Sequence, residues 1–165
     1  MNLIFIAVLA ASLAIPSWQQ IQVRTSDKFL AGSGGVMGGR ETGEWIDDNT
    51  PDGATIMTIG PSMANVIQFY GHRHAYGLSV STNPLHRNPS YDPIRNPDAQ
   101  LRSGDIQYVV WDSYSGSRSS YYSDKVTAYA KKYHGRIVHM ETISVSDEHG
   151  NVVDKPVIIV WEVHP

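Results

Sequence analysis

Apolar positions follow two different periods along this chain, and the changes between them mark out its elements. Residues 3–15 come first, an apolar or small run interrupted only by Ser12 and closed by Pro16, Ser17 and Trp18. Residues 40–48 predict a short helix carrying Trp45 and Ile46, stopped by Asn49-Thr50-Pro51 and the turn at Asp52-Gly53. Residues 54–59 favour a strand. Gly60-Pro61-Ser62 then opens a helix, with the proline in its first turn. Met63, Val66, Ile67 and Tyr70 follow at i, i+3, i+4 and i+7, and Gly71 closes the helix. A strand over 76–80 precedes an irregular stretch, 81–104, that holds four of the nine prolines. The dense apolar run 106–111 reads as a central buried strand. Residues 119–134 predict a helix with Tyr122, Val126, Tyr129 and Tyr133 on its buried stripe. Asp124 sits early in it, Lys131 and Lys132 sit late, and Gly135 follows. Residues 137–145 and 157–163 pair most simply as a hairpin turning near Gly150-Asn151.

The fold class this predicts is α/β: a mixed sheet of about four or five strands with packed helices and a C-terminal hairpin, preceded by one hydrophobic N-terminal helix. Three segments are expected: an anchor helix and its extension over 1–30, a Gly-rich linker over 31–39, and an α/β domain over 40–165. The first run is longer than a secretory core needs and shorter than the roughly 20 residues of a bilayer span. No Lys or Arg precedes it, whereas Ser12-Leu13-Ala14 resembles a small-x-small cleavage site and Trp18 suits an interfacial belt. A retained membrane anchor is the expectation, with a cleaved signal or a buried helix as alternatives. The first two place the domain outside the cytoplasm, and the retained anchor holds it at the cell membrane, on the extracytoplasmic side. The run would also suit the end of the last transmembrane helix of a longer protein.

Composition narrows the chemistry. A net charge of −3 points away from nucleic acid. With no cysteine, a disulfide scaffold, a zinc–thiolate centre and a cysteine nucleophile are excluded. No Gly-x-Ser-x-Gly elbow, phosphate-loop lysine or dinucleotide fingerprint is present, so no cofactor is expected.

Two places could carry chemistry. Residues 71–102 hold four arginines and three histidines against two aspartates, among repeated Asn-Pro and Asp-Pro turns. Arg73, His74, His86 and Arg87 are the candidates there for an anionic ligand, since an arginine fork matches phosphate or carboxylate. The architectural alternative is an ordered loop whose arginines satisfy its own carbonyls. His72, His74 and His86 lack the spacing of a metal site. The second place is residues 111–119, at the carboxyl end of the central strand. Asp112 there could serve as base or acceptor and Arg118 as anion clamp. Pairing of Asp112 with an arginine and serine capping of the next helix are the structural alternative.

The blocks Glu44-Trp45-Ile46-Asp47-Asp48-Asn49-Thr50-Pro51-Asp52-Gly53-Ala54, Phe69-Tyr70-Gly71-His72-Arg73, Asn83-Pro84-Leu85-His86-Arg87-Asn88-Pro89, Gln107-Tyr108-Val109-Val110-Trp111-Asp112 and Lys155-Pro156-Val157-Ile158-Ile159-Val160-Trp161-Glu162-Val163 carry a family likeness. They resemble the C-terminal extracytoplasmic segment of prokaryotic glycosyltransferases of family 39, the protein mannosyltransferase-like group. The resemblance implies an accessory domain, non-catalytic by itself, of a membrane enzyme that uses a polyprenyl-phosphate-linked sugar. The family's catalytic acid lies in an early loop that has no counterpart here. Implied partners are the lipid bilayer, the polyprenyl-phosphate donor, and a multi-span membrane protein or further copies of this chain. Two other classes compete: a self-sufficient hydrolase joining Asp112 to His74 or His86, and an anchored surface-binding or assembly subunit with no enzymatic activity.

Overall fold

The computed structural model describes residues 12–15, 18, 35–146 and 150–165. The chain divides into two units, 1–31 and 32–165. Of the first, residues 12–15 and Trp18 are described; they are helical and exposed. The rest of the anchor expected over 1–30 lies outside the described residues, as do residues 31–34 of the linker. The transmembrane-helix reading is corrected on one finding: among the described residues no helix is long and apolar enough to cross a membrane.

In the second unit, burial alternates with the chain as the periodicity requires. The element order is α1 (Gly39–Asn49), β1 (Thr55–Thr58), α2 (Pro61–Tyr70), β2 (His74–Gly77), α3 (Pro97–Ser103), β3 (Tyr108–Asp112), α4 (Ser113–Arg118), α5 (Ser120–Lys132), β4 (Arg136–Ser146) and β5 (Val152–Glu162). A single 3-10 turn, Pro84–His86, interrupts the Pro-rich stretch. The five strands form one mixed sheet in the order β2-β1-β3-β5-β4. β1 pairs parallel with β2 and β3, while β5 runs antiparallel between β3 and β4.

Side chains of alternate parity leave the sheet on opposite faces. Ile56, Tyr108, Val110, Ile158 and Val160 pack on one face with Ile46 of α1 and Met63, Val66 and Ile67 of α2. Met57, Val109 and Val163 pack on the other with Leu101 of α3 and Val126 and Ala130 of α5. The result is a three-layer domain in which β1 and β3 are covered on both faces.

The expected linker is partly structural. Val36 is fully buried in the first of these cores, and Gly39 already belongs to α1. Gly38 takes φ 70, and a Cβ there would lie 2.9 Å from that of Glu141, so both backbone and space demand glycine.

Other boundaries differ from the sequence reading. β2 begins at His74 rather than Tyr76, because its ladder to β1 starts at the Thr55–His74 pair. Within the stretch read as irregular, Asn96 accepts from the Ala99 amide, Pro97 occupies the first turn, and Gly104 closes α3 at φ 77. The helix expected from residue 119 is preceded by a separate short helix, α4, capped by Asp112.

Candidate functional site

β1 leads through α2 to β2 on one side, while the next strand in sequence, β3, lies on its other side. Ligand crevices of open α/β sheets form at such a reversal, outside the carboxyl ends of the strands. At this edge the chain turns from β1 into α2 at Gly60, whose backbone is extended and whose missing side chain leaves α2 without a side-chain cap. Pro61 has no N–H, so the first-turn amides that remain are those of Ser62 and Met63.

Asp112 ends β3 two residues beyond Val110, which pairs with Thr58. It therefore stands level with Gly60 and shares the parity of Tyr108 and Val110, on the sheet face that carries α2. One of its oxygens, Oδ1, accepts from the Ser115 amide at 2.7 Å and so starts α4. The other, Oδ2, is buried and has no hydrogen-bond partner among the described residues. The residue as a whole is 0% exposed. Burial pushes its carboxyl pKa up, opposed by the Ser115 amide it accepts from and by the Ser115 side chain nearby. Two hydroxyls complete the edge: a Cβ on Gly60 would lie 3.3 Å from Ser115 Oγ and 3.4 Å from Ser79 Oγ. Ser79 is half-buried and held by its amide donating to the Ile59 carbonyl.

The native Asp112 carboxyl thus binds its proton more tightly than the unfolded one. That contribution to stability is complete below the ordinary carboxylate range, near pH 4, and is lost as pH rises through the raised native value. Asp112→Asn stays neutral and can still accept from Ser115. Thermal melts should therefore show it more stable than the parent at pH 7 to 8, the advantage shrinking towards pH 4. Parallel melting curves across that range would mean the carboxyl carries no burial penalty.

The six residues singled out from sequence do not form one site. Arg73 is almost fully buried and committed to the protein. It donates to the carbonyls of Asp47 (2.9 Å), Thr50 (2.8 Å) and Gly71 (3.2 Å) and ion-pairs with Asp47 (3.1 Å) and Asp52 (3.2 Å). His74 is exposed at the opposite end of the sheet, stacked on Tyr76 and 3.9 Å from Asp92. Since His74 pairs with Thr55, and Ile56 with Tyr108, His74 lies level with residue 107. Asp112 is five residues further on, about 16 Å along the strand. A dyad of Asp112 with His74 is therefore excluded by register.

His86 is exposed on the 3-10 turn. Arg87 closes its own loop by donating to the Thr82 carbonyl at 3.2 Å, which is the architectural use of the Pro-rich stretch. Arg118 lies 3.9 Å over the Tyr114 ring, a cation–π contact. Among the described residues no three His, Asp or Glu side chains stand close enough to share a metal ion. Of the six, Asp112 alone is at the strand-switch edge, with Arg118 on the short helix beside it. Gly60, Ser62 and Ser79 were not singled out from sequence, although Gly-Pro-Ser after a strand is a legible sign of an uncapped helix start.

No family model matches the chain, and no curated protein matches it. A solved domain from Corynebacterium diphtheriae, described as a precorrin-6Y C5,15-methyltransferase targeted domain, is similar at 12% identity. It matches 76% of this chain and 94% of its own with a TM-score of 0.33, a likeness too slight to carry an argument. The glycosyltransferase and transmembrane character expected from the sequence is therefore not retained: no family model or curated protein matches, and among the described residues no helix is long and apolar enough to cross a membrane.

Proposed function

We propose that residues 35–165 form a binding domain, non-catalytic by itself, that takes a small polar ligand at the carboxyl edge of β1 and β3. The observation that carries this reading is Asp112, level with the uncapped start of α2, whose Oδ2 is buried without a partner among the described residues. A buried polar atom left unpaired costs about 1–3 kcal/mol, a cost that a bound ligand relieves. The carboxylate–histidine pair considered for a hydrolase needs its two groups within hydrogen-bond reach of each other. Asp112 is bonded to Ser115, and the histidines considered as its partner lie elsewhere: His74 at the far end of the sheet and His86 on an exposed turn. That favours holding a ligand over transforming it.

Gly60→Ala tests the location. Its methyl would enter between two hydroxyl tips that can turn aside, at an extended backbone position that any residue adopts. A small-metabolite library screened by ligand-observed NMR should yield binders that Gly60→Ala weakens at least tenfold, with Tm held within a few degrees. Binders indifferent to the methyl would place the ligand site elsewhere.

A further inference from the structure

We propose that β4 is a homodimer interface: two copies of this chain pair antiparallel along residues 136–141 and continue the five-stranded sheet across a two-fold axis. A sheet edge presents unpaired N–H and C=O groups, and proteins ordinarily blunt it with a short strand, proline, lysine or a covering segment. The two edges here differ in this respect. β2 is four residues long, and the isolated Gly77–Pro93 bridge lays the Pro-rich stretch against its end. β4 is eleven residues long and contains neither proline nor lysine, and among the described residues no strand pairs with its outer side.

The side chains of β4 point to a second copy. Its register on β5 slips by one between Ile137 and His139, where Val138 forms a bulge. Val138 and His139 therefore share the face that carries α1: Val138 packs on the first core, and His139 stacks on Trp45 at 4.6 Å. Ile137 and Met140 come together on the opposite face, beside Trp161 and Ile159 of β5, and are 50% and 42% exposed there. In a regular strand residues three apart lie on opposite faces, so the bulge makes this stretch self-complementary. About an axis between Val138 and His139, Ile137 falls opposite Met140 of the second copy, and Arg136 opposite its Glu141. The exposed apolar pairs then cover each other, in a row running from Trp161 and Ile137 to Met140 and Ile159 of the second copy. On the other face Arg136, already paired with Glu162, gains a second carboxylate. Matching apolar and charged positions about one axis is the signature of an isologous contact and favours a second copy over an unrelated strand. Pairing over so short a stretch is at the small end of specific interfaces, so the dimer is weak and exchanging.

Sedimentation equilibrium of residues 1–165, from dilute solution to NMR concentrations, should show a reversible monomer–dimer equilibrium. Met140→Lys brings an ammonium from each copy to the apolar row and should weaken the dimer at least tenfold, with Tm held within a few degrees because Met140 is exposed. Arg136→Glu and Glu141→Lys test the register. Each alone sets like charges against each other at both contacts between residues 136 and 141, and should stay monomeric where the parent is dimeric. Mixed in equal amounts, the two variants restore opposite charges at both contacts, and a heterodimer should form. A parent that is monomeric at every concentration, or a dimer indifferent to Met140→Lys, overturns the proposal. So does a mixture that fails to associate while both variants keep the parent's Tm. Glu141→Lys gives up the contact with His139, and if that lowers its Tm the Met140→Lys result decides.

Discussion

Arg73→Ala should destabilise the domain by about 3–5 kcal/mol and lower Tm by roughly 10–20 °C. The guanidinium is enclosed between the C-terminal turn of α1 and the connection from α2 into β2. It donates to the carbonyls of Asp47, Thr50 and Gly71, to Thr50 Oγ1 at 3.2 Å and to Asp47 Oδ1 at 3.1 Å. Truncation takes this donor from the buried Thr50 and Gly71 carbonyls and removes the cation that the end of α1 otherwise lacks, since its last turn has no basic residue. Arg73→Lys should recover little, because a point charge on a flexible stem cannot reproduce a planar fork that reaches several acceptors at once. Asp52→Asn serves as the control. Asp52 ion-pairs with the same guanidinium but is fully exposed, and its loss should cost under about 1 kcal/mol. Urea unfolding measures all three. A cost for Arg73→Ala below that of Asp52→Asn would show that the buried network does not hold the helix to the strand.

Arg73 also shows where sequence reasoning stopped. Strands 106–111 and 54–59, and the helix opened by Gly60-Pro61, were legible because their apolar period is set by burial against a layer, a local property of the chain. What Arg73 would face was not local: the end of α1 lies 23 residues away in sequence at Thr50, and only the βαβ path returns the chain to it. A signal did exist, in a helix ending Asp47-Asp48-Asn49 with no cation in its last turn.

α4 was missed for a different reason. Ser113-Tyr114-Ser115-Gly116-Ser117-Arg118 has poor helix propensity, and it is helical because Asp112 caps it and Gly116 lets it settle against the Trp111 indole, from which a Cβ would lie only 3.2 Å. The hairpin strands were read too short because residues 152–156 are exposed and Asp154, Lys155 and Pro156 break the apolar run, while their pairing with β4 is made outside any core. Asp112 was found for its position at a strand end, whereas its unpartnered oxygen and its neighbours Gly60 and Ser79 follow from the sheet order, which the sequence pattern left open.

Gly77→Ala carries the second large effect and ties the fold to the site. Gly77 ends β2 opposite Thr58, and its own backbone is not the constraint; the space is. A Cβ there would lie 2.8 Å from Val80 Cγ2 and 3.1 Å from both the Gly60 carbonyl carbon and the Pro61 nitrogen. Val80 is β-branched and stiff, and the other two atoms are backbone, so no flexible side-chain tip can yield. The turn from β1 into α2 must move instead. Overpacking of this kind costs about 1–3 kcal/mol, and backbone neighbours place Gly77→Ala at the upper end. Gly53→Ala is the comparison: nothing lies within 4 Å of its added methyl, and it should leave stability unchanged. In urea unfolding the midpoint of Gly77→Ala should fall with an unchanged m-value, the signature of lost stability without a change in the unfolded state. Amide shifts in the folded variant should concentrate at Ser62, Met63, Ser79 and Ser115, because the displaced turn is the same one that presents the α2 amides beside Asp112. Shifts confined to β2, with a midpoint close to that of Gly53→Ala, would mean the turn yields freely and does not hold the edge in place.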